Sequence, residues 1–243
     1  MIAELTDRIA AEQRLAGRPI VVGVSGYGGS GKSTLARRIV AAVPGAVRMR
    51  GDDFLDPVRS HRRSTDWDGV ERERLVTEVL TPFRESRAST FRRFDWGVRA
   101  LGAPEPVPVA DVMVVDLIGL FHPDASPALD VAVWCDVDLA TATSRGMARD
   151  ADLGRRHDAL WNEVWVPNER DFEARFAPRD RADLLVDVRI DTASTPAGAE
   201  AAGTGSGASW TVRGMLLPVT TPRSFHSTDV RAAMSDGVAT RAR

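Results

Sequence analysis

The stretch Gly26-Tyr27-Gly28-Gly29-Ser30-Gly31-Lys32-Ser33 combines four glycines with the single lysine of a 243-residue chain. Every other basic side chain that is always charged is an arginine. Glycines at 26 and 31, followed directly by lysine and serine, have the spacing of a loop that wraps phosphate. Each part of the pattern has a physical reason. Glycines let backbone N–H groups turn inward around phosphate oxygens. The helix that follows adds the positive end of its dipole. A compact ammonium on a flexible stem reaches the outer phosphates of a nucleotide, a task to which arginine's planar fork is less suited. The Ser33 hydroxyl suits Mg²⁺. Gly26, Tyr27, Gly28, Gly29, Ser30, Gly31, Lys32, Ser33 and Thr34 are therefore expected to bind ATP.

Two groups of acids lie downstream. Asp116 closes the apolar run VMVVD, where a carboxylate would share Mg²⁺ with Ser33 through water. Asp52 and Asp53 end the segment AVRMRGDD. A carboxylate at that place faces the reacting phosphate across the carboxyl edge of a parallel sheet, within reach of an acceptor hydroxyl whose proton it would take. Acids at such strand ends also cap turns, and position alone leaves both uses open.

The surrounding pattern supplies the elements that must hold these groups. Residues 2–15 carry apolar positions at helical spacing. PIVVGVSG reads as a buried parallel strand, and residues 32–43 as a helix stopped by Pro44 and Gly45. AVRMRGDDF reads as a second strand, 68–86 as a helix, ADVMVVDLIGL and DVAVWCDVD as buried strands, and the stretch through RGMARD as a helix. Residues 157–176 form a tryptophan-rich amphipathic helix, and ADLLVDV a final strand. Strands alternating with helices imply an α/β fold, a parallel sheet with helices on both faces. From about residue 192 the chain turns low in complexity, with TASTPAGAEAAGTGSGAS as its start. A single α/β domain over 1–191 and a mostly disordered tail over 192–243 are expected.

Composition narrows the setting. A net charge of −2 gives no basic surface for nucleic acid or for a membrane. No apolar run approaches the ~20 residues needed to span a bilayer. The amphipathic, acid-bearing N-terminus is unlike a secretory signal. One cysteine, Cys135, excludes an internal disulfide. A cytoplasmic protein is expected. His61, His122, His157 and His226 lack partners at ligand spacing, and Trp161 and Trp165, four apart on one helix, are expected to pack.

Taken in order, GVSGYGGSGKSTLA, GDDF, FDW, VVDLIGL and RGMARD followed by W-x-x-x-W-x-x-x-E resemble the uridine kinase family, within the wider group that contains phosphoribulokinase and the bacterial pantothenate kinases. The resemblance covers about residues 15–188. It implies a P-loop NTPase-type sheet with a small helical lid, and transfer of the γ-phosphoryl of ATP, with Mg²⁺, to a hydroxyl of a small molecule. It makes Asp52 the base for the acceptor hydroxyl, with Asp53 and Phe54 beside it. It makes Asp66, in Thr65-Asp66-Trp67-Asp68, a ligand of sugar hydroxyls. It puts Phe94 and Asp95 at the acceptor, with Asp53 and Arg99. Arg145 and Arg149 become the lid arginines that close on the phosphates, catalytic together with Asp52 and Lys32. Ser33 and Asp116 become the metal residues.

The departures from the family fall on the acceptor side. Leu55 stands where a tyrosine often follows the Asp-x-Phe motif. Arg99 stands where a histidine reads the pyrimidine. Asp116-Leu117 stands for the usual Glu-Gly. A site that hydrogen-bonds one acceptor rejects analogues strongly, so these changes leave the acceptor open. A nucleotide-binding regulator that phosphorylates nothing remains the alternative.

Overall fold

The computed structural model describes residues 2–190 and 208–214. The chain opens with α1 (Ile2–Ala16), whose Leu5 and Ile9 are buried, then β1 (Ile20–Ser25) and α2 (Lys32–Ala42). β2 (Val47–Arg50) leads through a 3₁₀ turn, Gly51–Phe54, that carries the GDDF segment. A helical run follows: α3 (Arg72–Leu75), a π-helical turn over Val76–Leu80, and α4 (Thr81–Arg84). Next come β3 (Thr90–Asp95), β4 (Ala100–Pro106), β5 (Val112–Asp116), β6 (Val131–Asp136) and α5 (Leu139–Asp152). α6 (Asp158–Leu160), a π-helical turn over Trp161–Trp165 and α7 (Val166–Phe176) form the second helical run, before β7 (Leu184–Ile190) and β8 (Ala208–Gly214).

The main sheet has the order β2-β5-β1-β6-β7-β8. Its first five strands run parallel, and β8 pairs antiparallel to β7. Every residue of β1 and of β5 is buried, which is why these strands read as continuous apolar runs rather than as alternations. The expected parallel α/β sheet is what the chain forms, and the segments expected to bear chemistry emerge at the carboxyl ends of β1, β2 and β5.

Both π-helical turns have the same cause. Each stands immediately before a first helical turn that contains a proline, Pro82 in α4 and Pro167 in α7. Proline has no N–H to give to the carbonyl four residues back, and a widened turn absorbs the loss. The helix expected from residue 68 starts at Arg72, because Val70 is drawn into an isolated antiparallel bridge with Leu55.

Two elements correct the sequence reading. β3 and β4 form a separate hairpin. Its inward residues, Phe91 and Phe94, are three apart because the register shifts between Arg92 and Phe94, and a bulge erases the period of two by which a strand is recognised. β7 is not the last strand, since seven residues of the segment expected as a tail form β8, with Val212 opposite Val186. The remainder of 192–243 lies outside the described residues. No helix among the described residues is long and apolar enough to cross a membrane.

Candidate active site

The glycine-rich loop leaves β1 and turns back into α2. Gly26, Gly29 and Gly31 have φ of 153°, 83° and 96°, a region open to glycine and strained for other residues. Gly31 is the N-cap of α2 and supplies no side-chain cap, so the first N–H groups of the helix are left for a ligand. The loop is braced by Ser30 N donating to the Tyr27 carbonyl at 3.0 Å, and the Lys32 ammonium folds back on that same carbonyl at 3.2 Å. The Tyr27 ring points away into the core and meets Trp134 edge-on at 5.3 Å. Tyr27, expected to bind nucleotide, thus turns its side chain away from the loop.

A cleft opens over this loop. It is lined by Gly28, Gly29, Lys32, Ser33, Asp52, Ile118, Arg149, Trp161, Trp165 and Glu169. Three chain segments, remote in sequence, thus bring together the ammonium and hydroxyl of the loop, the exposed Asp52 carboxylate and one of the two expected lid arginines. Arg145 sits half-buried on α5, one turn before Arg149, outside the lining.

Other expected residues are placed elsewhere. Both carboxylate oxygens of Asp116 are taken by Arg48, at 2.7 and 2.8 Å. Asp53 is 2 % exposed and turns to Arg93 at 3.3 Å, under the hairpin rather than into the cleft. Burial raises its pKa against the nearby charges of Arg50 and Arg93. Phe94 is buried against Trp96, and the Asp95 carboxylate accepts the N–H groups of Gly97 and Val98 at the hairpin turn. Arg99 is exposed in the same turn with φ 55°. The Asp66 carbonyl accepts from buried Arg72 at 2.5 Å. Asp53, Asp66, Phe94, Asp95 and Arg99 are all outside the cleft lining.

The lid side is organised by Trp161. Its indole N–H donates to Asp150 at 3.0 Å, and Asp150 also holds His157 at 3.1 Å and Arg149 at 3.1 Å. Burial pushes the Asp150 pKa up, yet the hydrogen bonds from Trp161, His157 and Arg149 outweigh it and keep the group below the ordinary carboxylate range. The ring of Trp161 is wedged between loop and lid. A methyl added at Gly146 would meet it at 2.4 Å and one at Gly28 at 2.9 Å. Trp165 meets Trp161 edge-on at 5.0 Å and donates its indole N–H to the Ser60 carbonyl at 3.0 Å. Both tryptophans pack as expected, and both also wall the cleft.

Glu169 is the charged residue of the cleft to which sequence reading gave no role. It is 4 % exposed and accepts the Gly28 N–H at 2.7 Å. Burial pushes its pKa up to about 7, against the Gly28 hydrogen bond, the Lys32 charge and the Trp67 indole. The signal was present in the sequence: Trp161, Trp165 and Glu169 are spaced four apart, which places them along one helix face. Behind the loop, Cys135 is fully buried, and burial raises its thiol to about 12, as expected of an inert side chain.

A glycine-rich loop between a buried parallel strand and a helix, with cleft residues at the carboxyl ends of neighbouring strands, defines the P-loop kinase class of fold. Known proteins agree. A protein assigned as a fructose transport system kinase from Silicibacter sp. TM1040 superposes with a TM-score of 0.61 at 22% identity, over 72% of this chain and 94% of that one. D-glycerate 3-kinase from Cryptococcus neoformans var. grubii gives 0.53 at 13% identity, over 77% and 95%.

In sequence the chain is similar to uridine kinases. It is 28% identical over 148 residues to that of Leuconostoc citreum, covering 56% of this chain and 70% of the relative. It is 25% identical over 198 residues to that of Limosilactobacillus reuteri strain DSM 20016, covering 73% and 90%. No family model matches the chain.

Proposed function

We propose that this protein is an ATP- and Mg²⁺-dependent kinase that transfers the terminal phosphoryl group to a hydroxyl of a nucleoside or a related polyol. The observation that carries this reading is the convergence of Lys32, Ser33 and Asp52 on one cleft. A phosphate loop alone serves switches and motors equally; a carboxylate across the cleft from its lysine is what a transfer to a hydroxyl needs.

In this reading Lys32 keeps one of its three donors on the Tyr27 carbonyl and turns the others to the outer phosphates, while the α2 N-terminus cradles the inner ones. Asp52 accepts the proton of the acceptor hydroxyl as its oxygen bonds to the γ-phosphorus and ADP leaves with the bridging oxygen. Arg149, the exposed lid arginine of the lining, sits where it can neutralise charge on the phosphoryl group in transit. Ser33 fits the metal expected with ATP. Mg²⁺ keeps several waters and takes its remaining ligands largely from phosphate, so it needs few side chains of the protein. Asp116, whose oxygens each take one N–H from Arg48, keeps a lone pair on each for a water of that metal. When bound, Mg²⁺ supplies charge neutralisation between the phosphates.

The Arg48–Asp116 pair also favours a second reading, a regulator that binds nucleotide without an acceptor. Purified protein with Mg²⁺ and ATP, challenged with nucleosides, pantothenate, sugars and sugar phosphates and read by mass spectrometry, separates the two. A phosphorylated product establishes the kinase. ATP binding with no product from any acceptor class favours the regulator.

A further inference from the structure

The Tyr27–Gly28 peptide is gripped from both sides. Its carbonyl accepts the Lys32 ammonium at 3.2 Å and the Ser30 N–H at 3.0 Å, and its N–H donates to the Glu169 carboxylate at 2.7 Å. One planar unit thus links the loop's lysine to a buried acid on α7. Because a peptide turns as a unit, its carbonyl cannot be re-aimed without re-aiming its N–H. The grip has a third contributor. The indole N–H of Trp67 is buried without a partner of full hydrogen-bond geometry, and it favours the charged form of Glu169. Trp67 itself is held in the left-handed region, φ 56°, while 3 % exposed, a strained conformation that the surrounding packing must enforce.

Resting on the kinase reading, we propose that Glu169 is a positioning residue of the phosphate loop: it fixes the plane of the Tyr27–Gly28 peptide and so the place from which Lys32 meets the terminal phosphate of the nucleotide. The inner part of the loop has its own supports. Thr34 N and Leu35 N both donate to the Gly31 carbonyl, at 2.9 and 3.0 Å. Release of Gly28 is therefore felt at the outer end, where the lysine works, and little at the inner phosphates. The glycine-rich pattern demands no acid at position 169. The requirement arises from α7 packing over the loop, with Trp161 as the spacer between them.

The test compares ATP and ADP, each with Mg²⁺, binding to full-length wild type and to Glu169→Gln, Glu169→Ala and Glu169→Asp, by titration calorimetry. Gln keeps an oxygen that can accept from Gly28, whereas Ala removes it and Asp draws it back by one methylene. Loss of one charge-assisted hydrogen bond corresponds to about tenfold in affinity. Glu169→Ala and Glu169→Asp are expected to weaken ATP by about that factor and ADP by less than about twofold, with Glu169→Gln staying near wild type for both. Should Glu169→Ala fail to fold, Glu169→Asp carries the same comparison. Equal losses for ATP and ADP would mean general damage to the loop and overturn the proposal. So would a Glu169→Gln variant as weak as Glu169→Ala, since charge rather than the tether would then be responsible. Normal nucleotide binding by wild type with no acceptor turned over would sink the kinase reading and leave the tether standing.

Discussion

Arg48 on β2 holds both carboxylate oxygens of Asp116 on the neighbouring β5, in a pair whose aspartate side chain is only 4 % exposed. The bidentate geometry matches guanidinium to carboxylate and leaves Asp116 neither lone nor free. It makes this strand-end acid half of a buried ion pair.

That pair is expected to matter more when broken than when replaced. Arg48→Ala strands a buried carboxylate and is expected to cost about 3 kcal/mol, read as a lowered midpoint in thermal or denaturant unfolding. Arg48→Met together with Asp116→Leu removes both charges and should recover most of the loss. A double variant as unstable as the single one would show that the pair itself, not its stranded half, stabilises the sheet.

Asp52→Asn tests the proposed base. It is expected to lower phosphoryl transfer by at least about 100-fold while ATP affinity stays within about threefold. Full turnover by this variant would remove Asp52 from the reaction.

Gly146→Ala tests the wedge. The added methyl would meet the Trp161 ring at 2.4 Å, so either α5 or the tryptophan must shift. A loss of about 1–3 kcal/mol in stability is expected, together with a lowered kcat where Arg149 is displaced. Gly146→Ala paired with Trp161→Leu should regain stability, and failure to do so would locate the crowding elsewhere.

The buried Glu169 predicts a pH dependence of stability. Its folded pKa, about 7, stands above the ordinary 4.5 because of burial, which Lys32 opposes and Glu173 reinforces. A raised carboxyl pKa means that stability is fully present below the unfolded value and is lost as pH rises through about 7. The loss between pH 4.5 and 8 from this one group is about 3 kcal/mol. Glu169→Gln should flatten that slope in denaturant unfolding measured at several pH values. An unchanged slope would mean that Glu169 is charged throughout.

Much of this was legible in the sequence. The phosphate loop could be read because its glycines serve a local backbone need, and local needs leave fixed spacings. β1, β5 and β6 could be read because strands buried on both faces are apolar throughout. β8 left a fainter mark, Ser209, Thr211 and Arg213 alternating with Trp210 and Val212, hidden beside low-complexity flanks. The hairpin was not legible because its bulge broke the alternation.

The site divides in the same way. The sequence by itself determined the phosphate loop, the parallel sheet and the presence of acids at the ends of its strands, because backbone conformation and burial act on neighbours along the chain. Only the tertiary structure decided which acids face the cleft. Asp52 does, Asp53 turns to Arg93 beneath the hairpin, and Asp116 is claimed by Arg48. It also brought Glu169 to Gly28, 141 positions away. A carboxylate takes its role from the cation or N–H within about 3 Å of it, and that partner is chosen by how strands and helices pack, not by its neighbours in sequence.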